Sequence, residues 1–332
     1  MMDCNKQNEG TQAKSTILVT GATGFVGRFL CYRLLAQGLR VRGTLLTSEN
    51  PSSLVNGVEP VRVEPLGADT PWCDALTGVN TVIHLAARVH IMRESSTDPL
   101  QEFRKVNLHG TERLALQAAK AGVGRFEFMS TIGINGDNSG AKSYAESDQP
   151  HPHNSYSVSK YEAELALKEI SKQTGMEVVI LRAPLVYGPG NPGNFLSLLR
   201  VISKGIPLPL ASVTNKRSLI YVGNLVDALA TCAVHPEAAG KTYLVSDGED
   251  VSTPELIQRT AKELGEPARL FPFPISLMRL AGKLTGKSGA VNRLAGSLTV
   301  DSSKIRRELR WVPPFTMEEG LRETAGWFKK KF

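Results

Sequence analysis

The chain has 332 residues, of which 41% are hydrophobic and 21% charged, as in an ordinary soluble globular protein. This length is enough for one large domain or two smaller ones. The formal net charge of +7 is compatible with a nucleic acid, a membrane surface or a small polyanion. The basic residues are scattered and match no nucleic-acid recognition motif, so a phosphorylated small molecule fits the charge best.

Cysteine usage and the N-terminus indicate the compartment. The four cysteines show neither metal-ligand nor redox-motif spacing; they are Cys4, Cys31, Cys73 and Cys232. This pattern fits reduced thiols in a cytoplasm. His151 and His153 are close but lack a third ligand, so we expect no metal site. Residues 1–14 predict a disordered tail rather than a signal peptide, and no apolar run approaches the ~20 residues that span a bilayer. We therefore expect a cytoplasmic protein without membrane contact.

Strand-like and helix-like segments alternate in chain order through the first half. The predicted strands cover 15–20, 39–46, 61–66, 80–87, 125–130 and 176–183. The predicted helices cover 25–37 and 99–124, with a third beginning near 155. Hydrophobic strands that alternate with helices favour a parallel sheet covered on both faces. Right-handed crossovers then predict an α/β fold with a doubly wound parallel Rossmann sheet.

The sequence pattern changes after about residue 184, where proline and glycine become frequent. Two later segments, 217–232 and 241–248, look like returns to the sheet. We therefore predict a first domain over 15–184 with returning segments in 217–248. A smaller, interleaved C-terminal region would comprise 185–216 and 249–332.

The segment "TGATGFVG" directly follows the first predicted strand and opens the first helix, with glycines at Gly21, Gly24 and Gly27. Glycines at this spacing permit a tight turn and close approach of backbone N–H groups to a diphosphate. The motif predicts a dinucleotide site. The second strand ends without the acidic residue typical of NAD binders, and Arg42 either reaches a 2′-phosphate or is a strand-surface arginine. The choice between NAD and NADP stays open.

The segment "YSVSK" places Tyr156 and Lys160 four residues apart at the start of a predicted helix. Side chains at i and i+4 are neighbours on one helix face, so a phenol and an ammonium would lie side by side. Alone, this pair is equally compatible with an ordinary amphipathic surface.

The glycine motif, "HLAA", "VNLHGT" and "YSVSK" occur in this order, followed by "LVYGPG" and "RSLIYVGNLVDA". Together they resemble the extended short-chain dehydrogenase/reductase family, in its nucleotide-sugar epimerase/dehydratase branch. The resemblance runs from residue 15 to about residue 327. It implies that 15–184 binds NAD(P) and that the C-terminal region binds the nucleotide sugar.

The resemblance also implies the catalytic residues. Tyr156 would be the acid/base that exchanges a proton with a sugar hydroxyl while nicotinamide exchanges a hydride. Lys160 would lower the pKa of the phenol and hold the nicotinamide ribose. Thr131, with Ser130 as the alternative, would hydrogen-bond the reacting oxygen, and Asn107 would order the network.

The binding residues carry over in the same way. The resemblance implies that the cofactor contacts Gly21, Gly24, Phe25, Val26, Gly27, Leu66, Leu85, Ala86, Ala87, Asn107, Tyr156, Lys160 and Pro184. The substrate would contact Thr131 and Tyr156, and its diphosphate would be held by Asn194, Arg217 and Arg293, since a guanidinium grips phosphate oxygens bidentately.

The sequence departs from the family pattern at three places, and the third reduces the number of reactions that fit. Leu185 stands where many relatives have an asparagine, and "EPLGAD" replaces a Gly-Asp-Leu at the adenine end. Ile132 and Gly133 follow Thr131, whereas sugar 4,6-dehydratases have Asp-Glu there. Without those carboxylates, dehydration is disfavoured.

Two reactions remain. The segments "HLAARVHIM", "GIPLPL" and "LVSDGEDVSTPEL" resemble UDP-N-acetylquinovosamine dehydrogenases, which favours a 4-keto reductase of a UDP-4-keto-6-deoxy-N-acetylhexosamine in the biosynthesis of surface polysaccharides such as lipopolysaccharide O-antigen. The alternative is a UDP-glucose or UDP-N-acetylglucosamine 4-epimerase. A non-catalytic dinucleotide-sensing module is a distant third, because such modules typically lose the tyrosine or lysine. A family-like homodimer would use the helices at 99–122 and 155–174.

Overall fold

The computed structural model describes residues 15–89, 96–286 and 288–332. The predicted tail at 1–14 lies outside the described residues. The strands are β1 (Thr16–Thr20), β2 (Arg40–Leu46), β3 (Glu59–Val63), β4 (Thr81–His84), β5 (Arg125–Thr131), β6 (Glu177–Ala183), β7 (Leu185–Tyr187), β8 (Arg217–Tyr221), β9 (Thr242–Leu244) and β10 (Asp250–Val251). The α-helices are α1 (Phe25–Ala36), α2 (Cys73–Leu76), α3 (Pro99–Phe103), α4 (Thr111–Lys120), α5 (Ser155–Thr174), α6 (Asn194–Ser203), α7 (Val222–Val234), α8 (Thr253–Leu264), α9 (Ile275–Leu284), α10 (Ser288–Ala295), α11 (Ser303–Leu309) and α12 (Met317–Lys331).

Seven parallel strands form the main sheet in the order β3-β2-β1-β4-β5-β6-β9. The chain winds outward from β1 in one direction and from β4 in the other, so the strand order reverses between these two neighbours. This is the doubly wound α/β arrangement, and the predicted fold class is confirmed. Ligands of such sheets bind at the carboxyl ends of the strands, where the order reverses.

Both faces of the main sheet are covered, because its strands are apolar on both sides. All five residues of β1 are buried. On one face, α1 and α7 contribute residues such as Leu34 and Leu229 to the core. On the other face, α4 and α5 contribute Leu114 and Leu167, which belong to the same buried cluster as Phe128 of β5. Each helix therefore places its N-terminus at the carboxyl edge of the sheet.

The predicted long helix at 99–124 has an irregular middle. Between α3 and α4 the chain forms a π-helical segment, Arg104–Gly110, before it resumes α-helical geometry. Such segments contain one extra residue per turn and concentrate at functional sites. The apolar periodicity of the sequence gives no signal for this extra residue.

The predicted return of 217–232 to the main sheet is wrong for its strand. β8 pairs with β7 and β10 in a separate three-stranded second sheet, while α7 packs on α1 and the main sheet. The second predicted return is correct, since β9 pairs with β6. An apolar run predicts a strand but not its partner, and β9 takes the only open edge beside β6. The division of the chain into two regions stays a prediction.

The helices of the predicted dimer interface each present an exposed apolar residue. Leu116 of α4 is 44% exposed and Leu165 of α5 is 48% exposed. The homodimer stays a prediction. Within 15–89, 96–286 and 288–332, no helix is both long and apolar enough to cross a bilayer.

One buried carboxyl group in the main sheet lowers stability at neutral pH. Glu127 of β5 is fully buried, and neither carboxylate oxygen has a hydrogen-bond partner among the described residues. Burial raises its pKa well above the ordinary 4.5, despite the opposing charge of Arg125. The folded state therefore retains a proton that the unfolded chain releases above pH 4.5, so this group makes stability fall as pH rises.

We expect Glu127→Met to stabilise the protein increasingly as pH rises from 5 to 8. The difference in unfolding free energy between variant and wild type should grow by about 1.4 kcal/mol per pH unit until the folded pKa is passed. Urea unfolding at several pH values measures it. Glu169→Gln, which removes an exposed carboxylate from α5, should track the wild type. A difference that does not change with pH would contradict the assignment.

Candidate active site

The turn between β1 and α1 carries the three motif glycines. Gly21 has a φ of +68°, and a Cβ there would lie 3.0 Å from the backbone nitrogen of Ala86. A Cβ on Gly27 would lie 2.1 Å from the carbonyl oxygen of Gly21, so only glycine lets α1 approach the turn this closely. Gly24 is the N-cap of α1. Gly21 and Gly24 therefore lie in the turn, and Gly27 lies in the first turn of α1 beside it.

The N-terminus of α1 fits an anionic group. No side chain caps Gly24, and no acidic residue lies in the first turn, which begins with the half-buried Phe25 and Val26. The first N–H groups of a helix have no intrahelical partner, and the helix dipole favours negative charge there. With the close approach that the glycines permit, this arrangement suits the diphosphate of a dinucleotide.

A carboxylate that the sequence did not reveal lies beside this turn. Glu49, three residues beyond β2, accepts hydrogen bonds from the hydroxyl of Thr23 (2.8 Å) and from the backbone N–H of Leu46 (2.6 Å). The N–H groups of the Arg62 side chain donate to carbonyls of the same loop, including that of Thr47 at 2.9 Å. The loop thus folds Glu49 back to the end of β2, a position usually filled by the last strand residue. An acid within three residues of the strand end was the available signal.

Arg42 is engaged elsewhere. It pairs with Glu59 of β3, with 2.7 Å between Nη2 and the carboxylate, and it donates to two carbonyls at the end of α2. The sequence left two interpretations of Arg42, a contact of the 2′-phosphate and a strand-surface arginine. These contacts support the strand-surface arginine.

The carboxyl end of β4 lies against the glycine turn. The hydroxyl of Thr20 accepts hydrogen bonds from the N–H groups of Leu85 and Ala86, each at 3.2 Å. The ring of His84 is fully buried between Thr20 (2.6 Å) and Thr111 (3.0 Å), and burial lowers its pKa to about 3. This neutral histidine holds the strand end in place. The three small or apolar residues after it are half-buried; they are Leu85, Ala86 and Ala87.

The start of α5 fixes Tyr156 and Lys160. Asn154 and Ser157 form a capping box: the Asn154 side chain accepts from Ser157 N–H (2.8 Å), and the Ser157 hydroxyl accepts from Asn154 N–H (3.1 Å). Tyr156 therefore lies in the first turn, with its ring edge against Phe103 of α3. Lys160 follows one turn later, 2% exposed, with Nζ 3.7 Å from the ring centre of Phe128.

Burial shifts the pKa values of this pair in opposite directions. It raises the pKa of Tyr156 to about 12. It lowers the pKa of Lys160 to about 7, against the attraction of the Glu164 carboxylate. The sequence-based expectation was a phenol whose pKa the lysine lowers. In this structure desolvation outweighs that effect, because an ammonium that itself titrates near neutrality offers only part of a charge.

Thr131 and Ser130 point to different neighbours, because successive strand residues face opposite sides. The buried hydroxyl of Ser130 donates to Glu164 at 2.6 Å. The hydroxyl of Thr131 accepts from Gly133 N–H at 3.1 Å. A Cβ on Gly133 would lie 3.4 Å from both the Thr131 hydroxyl and Cβ of Ser157. Thr131 and the first turn of α5 therefore both lie next to Gly133, whereas the hydroxyl of Ser130 is buried against Glu164.

Asn107 connects three elements. It is 1% exposed, lies in the π segment, and accepts the N–H of Arg88 at 2.8 Å. Its amide donates to the Arg88 carbonyl and to the Ser159 hydroxyl, each at 3.0 Å. Ser159 in turn donates to the carbonyl of Tyr156 at 2.8 Å. Asn107 thus links the segment after β4 to the helix of the tyrosine and lysine.

Two further residues that the sequence predicts to contact the cofactor are Leu66 and Pro184. Leu66 packs against the π segment, since a Cβ on Gly110 would come within 2.5 Å of its Cγ. Pro184 is buried and is the single residue between β6 of the main sheet and β7 of the second sheet.

The predicted substrate residues are only partly brought together. Arg217 donates to the carbonyls of Arg293 (2.8 Å) and Gly296 (3.2 Å). Burial, and then the charge of Arg293, lower the pKa of Arg217. Neither arginine forms an ion pair with a carboxylate in the described part of the chain, so the pair suits a polyanion. Asn194 is the exposed first residue of α6, and no described contact joins it to either arginine.

No group of three or more His, Cys, Asp or Glu side chains among the described residues is arranged to hold a metal ion.

The chain is similar in sequence to known proteins. The sequence model of the NAD dependent epimerase/dehydratase family matches residues 17–246. The chain is 43% identical over 314 residues to UDP-glucose 4-epimerase of Vibrio cholerae, covering 93% of this chain and 94% of that protein. It is 27% identical over 324 residues to N-acetyl-alpha-D-glucosaminyl-diphospho-ditrans,octacis-undecaprenol 4-epimerase of Escherichia coli O157:H7, covering 93% of each.

Solved structures of this family have a similar fold. MoeE5 in complex with UDP-glucose and NAD is 25% identical, with a TM-score of 0.76 over 95% of this chain and 99% of that one. DesIV, a dTDP-glucose 4,6-dehydratase of Streptomyces venezuelae with NAD bound, has a TM-score of 0.77 over 95% of this chain and 97% of that one; at 24% identity this likeness shows the fold alone. With its glycine turn, doubly wound sheet and family match over most of its length, the chain belongs to the NAD-dependent epimerase/dehydratase family of extended short-chain dehydrogenases/reductases, as the sequence predicted.

Proposed function

We propose that the protein is an NAD-dependent 4-epimerase of a UDP-hexose or UDP-N-acetylhexosamine. The observation that carries the proposal is the 43% identity to the Vibrio cholerae UDP-glucose 4-epimerase across 93% of the chain. The geometry around Tyr156 and Lys160 supports it, because a phenol and an ammonium lie one turn apart at the carboxyl edge of the sheet. The complex of MoeE5 with UDP-glucose and NAD supports the same substrate and cofactor classes.

The cofactor would lie across the carboxyl edge, with its diphosphate at the N-terminus of α1. When bound, NAD supplies the acceptor and donor of the hydride. Gly21, Gly24 and Gly27 would give backbone N–H groups access to the diphosphate. Lys160 would donate to the nicotinamide ribose.

In the proposed reaction, Tyr156 moves the proton. Its phenolate would take the proton of the C4 hydroxyl as bound NAD accepts the hydride of C4, which would give a 4-keto sugar. After the sugar has turned over, the phenol would return its proton to O4, with the same hydride supplied to the opposite face of C4. Thr131 would hydrogen-bond that oxygen throughout. Burial opposes ionisation of Tyr156, so the phenolate needs adjacent positive charge, from Lys160 and from the oxidised nicotinamide.

Arg217 and Arg293 would hold the UDP diphosphate. The Arg217 guanidinium donates to the backbone carbonyl of Arg293, the charge of Arg293 lowers the pKa of Arg217, and neither side chain has a carboxylate partner in the described chain. Planar guanidinium groups match phosphate oxygens. Asn194 would join them if the substrate draws α6 inward. Ile132 and Gly133 supply no carboxylate for dehydration, which leaves oxidation and reduction at C4 as the chemistry.

A 4-keto reductase is the second candidate, and three sequence segments favour it by resemblance to UDP-N-acetylquinovosamine dehydrogenases. It would use the same residues for half of the cycle, with one hydride and one proton delivered to the ketone. Each turnover would then consume one NADH or NADPH. Either reaction can belong to surface-polysaccharide biosynthesis, which the similarity to the undecaprenol-linked 4-epimerase of Escherichia coli supports.

The stoichiometry of the cofactor separates the two reactions. We expect the purified protein to convert UDP-glucose or UDP-N-acetylglucosamine to the C4 epimer without added reductant, as followed by NMR of the anomeric proton. Absence of the epimer, with stoichiometric loss of NAD(P)H on a UDP-4-keto-6-deoxy-N-acetylhexosamine, would overturn the epimerase and support the reductase.

Glu49 leads to a prediction about the cofactor. A carboxylate at the end of β2 accepts hydrogen bonds from the ribose hydroxyls of NAD and repels the 2′-phosphate of NADP. We therefore expect a preference for NADH over NADPH, and Glu49→Ser should reduce that preference roughly 10–100-fold. Fluorescence titration with both cofactors measures it. Glu59→Gln, which removes a carboxylate from the neighbouring strand, is the matched control. An unchanged ratio in Glu49→Ser would place the adenosine ribose elsewhere.

A further inference from the structure

Helix α9 exposes an apolar stripe. Leu277, Leu280 and Leu284 are 48%, 53% and 80% exposed, and their spacing of three and four residues places them on one helix face. Met278 and Gly282 lie on another face and are buried. A Cβ on Gly282 would come within 2.9 Å of Val291, so this second face packs on α10. The three leucines, here called the leucine stripe, therefore lie on a face of α9 that is half exposed or more and does not pack on α10.

The surroundings of the leucine stripe are strongly basic. Residues 267–300 contain five lysines and arginines and no acidic residue, so this segment supplies a large part of the net charge of +7. Arg279 and Lys283 lie on α9 itself, exposed and without an ion-pair partner in the described chain. Exposed contiguous apolar surface beside unpaired positive charge is typical of a contact site.

We propose that the leucine stripe and its basic flank dock on the surface of an anionic lipid bilayer. A helix with leucines on one face and lysine and arginine beside them lies in the plane of the interface, with the leucines among the acyl chains and the cations at lipid phosphates. Juxtaposed basic residues strengthen such binding at negatively charged surfaces. The contact is peripheral, because α9 spans only ten residues. It replaces the sequence-based expectation of a protein without membrane contact, which concerned only segments long enough to span a bilayer.

The same charge argues against a second copy of this chain as the occupant. Two copies meeting at the leucine stripe would bring two segments of charge +5 together, and like charges at an interface oppose association. An anionic lipid surface instead neutralises the segment.

The position of α9 would bring the proposed substrate site close to the membrane. α10, on which α9 packs, carries Arg293, whose carbonyl accepts from Arg217. Docking would therefore hold the pair of arginines next to the membrane surface. This consequence rests on the proposed function, whereas the docking itself does not.

Sedimentation with vesicles tests the proposal on the full-length protein. We expect binding to vesicles of phosphatidylcholine with phosphatidylglycerol, weakened by salt, and much weaker binding to phosphatidylcholine alone. The triple variant Leu277→Ser/Leu280→Ser/Leu284→Ser should lower the partition coefficient at least ~10-fold. Arg279→Gln/Lys283→Gln should lower it about 10-fold, and only with phosphatidylglycerol present. Val312→Ser, which removes a 69% exposed valine outside α9, is the matched control.

Each other outcome overturns the proposal. Equal binding by wild type and triple variant would remove the leucine stripe from the contact. Self-association of the wild type without vesicles, abolished in the triple variant, would make the stripe an interface between copies.

Epimerase assays without vesicles should give wild-type rates for the triple variant, so that loss of docking is distinguishable from loss of the proposed activity. Leu284→Ser alone, at the most exposed position, repeats the test should the triple variant melt early.

Discussion

Tyr156→Phe is expected to lower the turnover number by about 10²–10⁴-fold, because it removes the transferable proton. The ring is retained, so its edge contact with Phe103 and the fold should survive. Conversion of the UDP-sugar, measured by NMR, gives the turnover. Titration with NADH should show cofactor binding close to that of the wild type.

Tyr161→Phe is the matched control for this prediction. Tyr161 lies on the same helix and is also half-buried, but it does not lie four residues before Lys160. We expect its rate to stay near that of the wild type. Near-normal turnover by Tyr156→Phe, or an equal loss in both variants, would refute the assignment of the acid/base.

Arg182→Met is expected to reduce the unfolding free energy by about 3–5 kcal/mol, the usual effect of removing one partner of a buried ion pair. Arg182 and Glu164 are almost fully buried and form two hydrogen bonds, at 2.9 and 2.6 Å. The variant leaves Glu164 with the hydroxyl of Ser130 as its remaining hydrogen-bond donor among the described residues and with Lys160 as a nearby charge. Urea unfolding measures the effect.

The double variant Arg182→Met/Glu164→Met should recover part of that loss, because it removes both charges of the pair, while the buried Lys160 loses the attraction of Glu164. Lys262→Met, which breaks an exposed ion pair with Glu318, should change stability little and serves as the control. A double variant no more stable than Arg182→Met would mean that the loss comes from packing rather than from the unpaired carboxylate.

The sequence predicted those parts of the molecule that depend on local spacing. The glycine turn and the pair Tyr156 and Lys160 follow from three- and four-residue intervals, which secondary structure converts directly into geometry. The alternation of apolar strands and helices likewise determines a parallel sheet. These features require no knowledge of which distant residues meet.

What the sequence could not reveal depends on long-range contacts. The assignment of β8 to the second sheet depends on its pairing with β7. An apolar run predicts a strand but does not show which other strand it pairs with. Glu49 reaches the end of β2 through a loop held by Arg62. The pKa values of Tyr156 and Lys160 depend on burial, which i and i+4 spacing does not measure. Sequence spacing therefore predicted where a residue lies in the fold better than it predicted the environment of that residue.

The π segment makes the site sensitive to chain length at one place. Removing a single residue from Arg104–Gly110 would let the segment close to regular α-helix, because the extra residue of a π segment is the one that α-helical geometry does not need. Helix and sheet could absorb this change, but Asn107 would turn away from Arg88 and Ser159. In genetic terms, a one-codon deletion in this segment would leave a foldable protein with a broken link between the end of β4 and the helix of Tyr156.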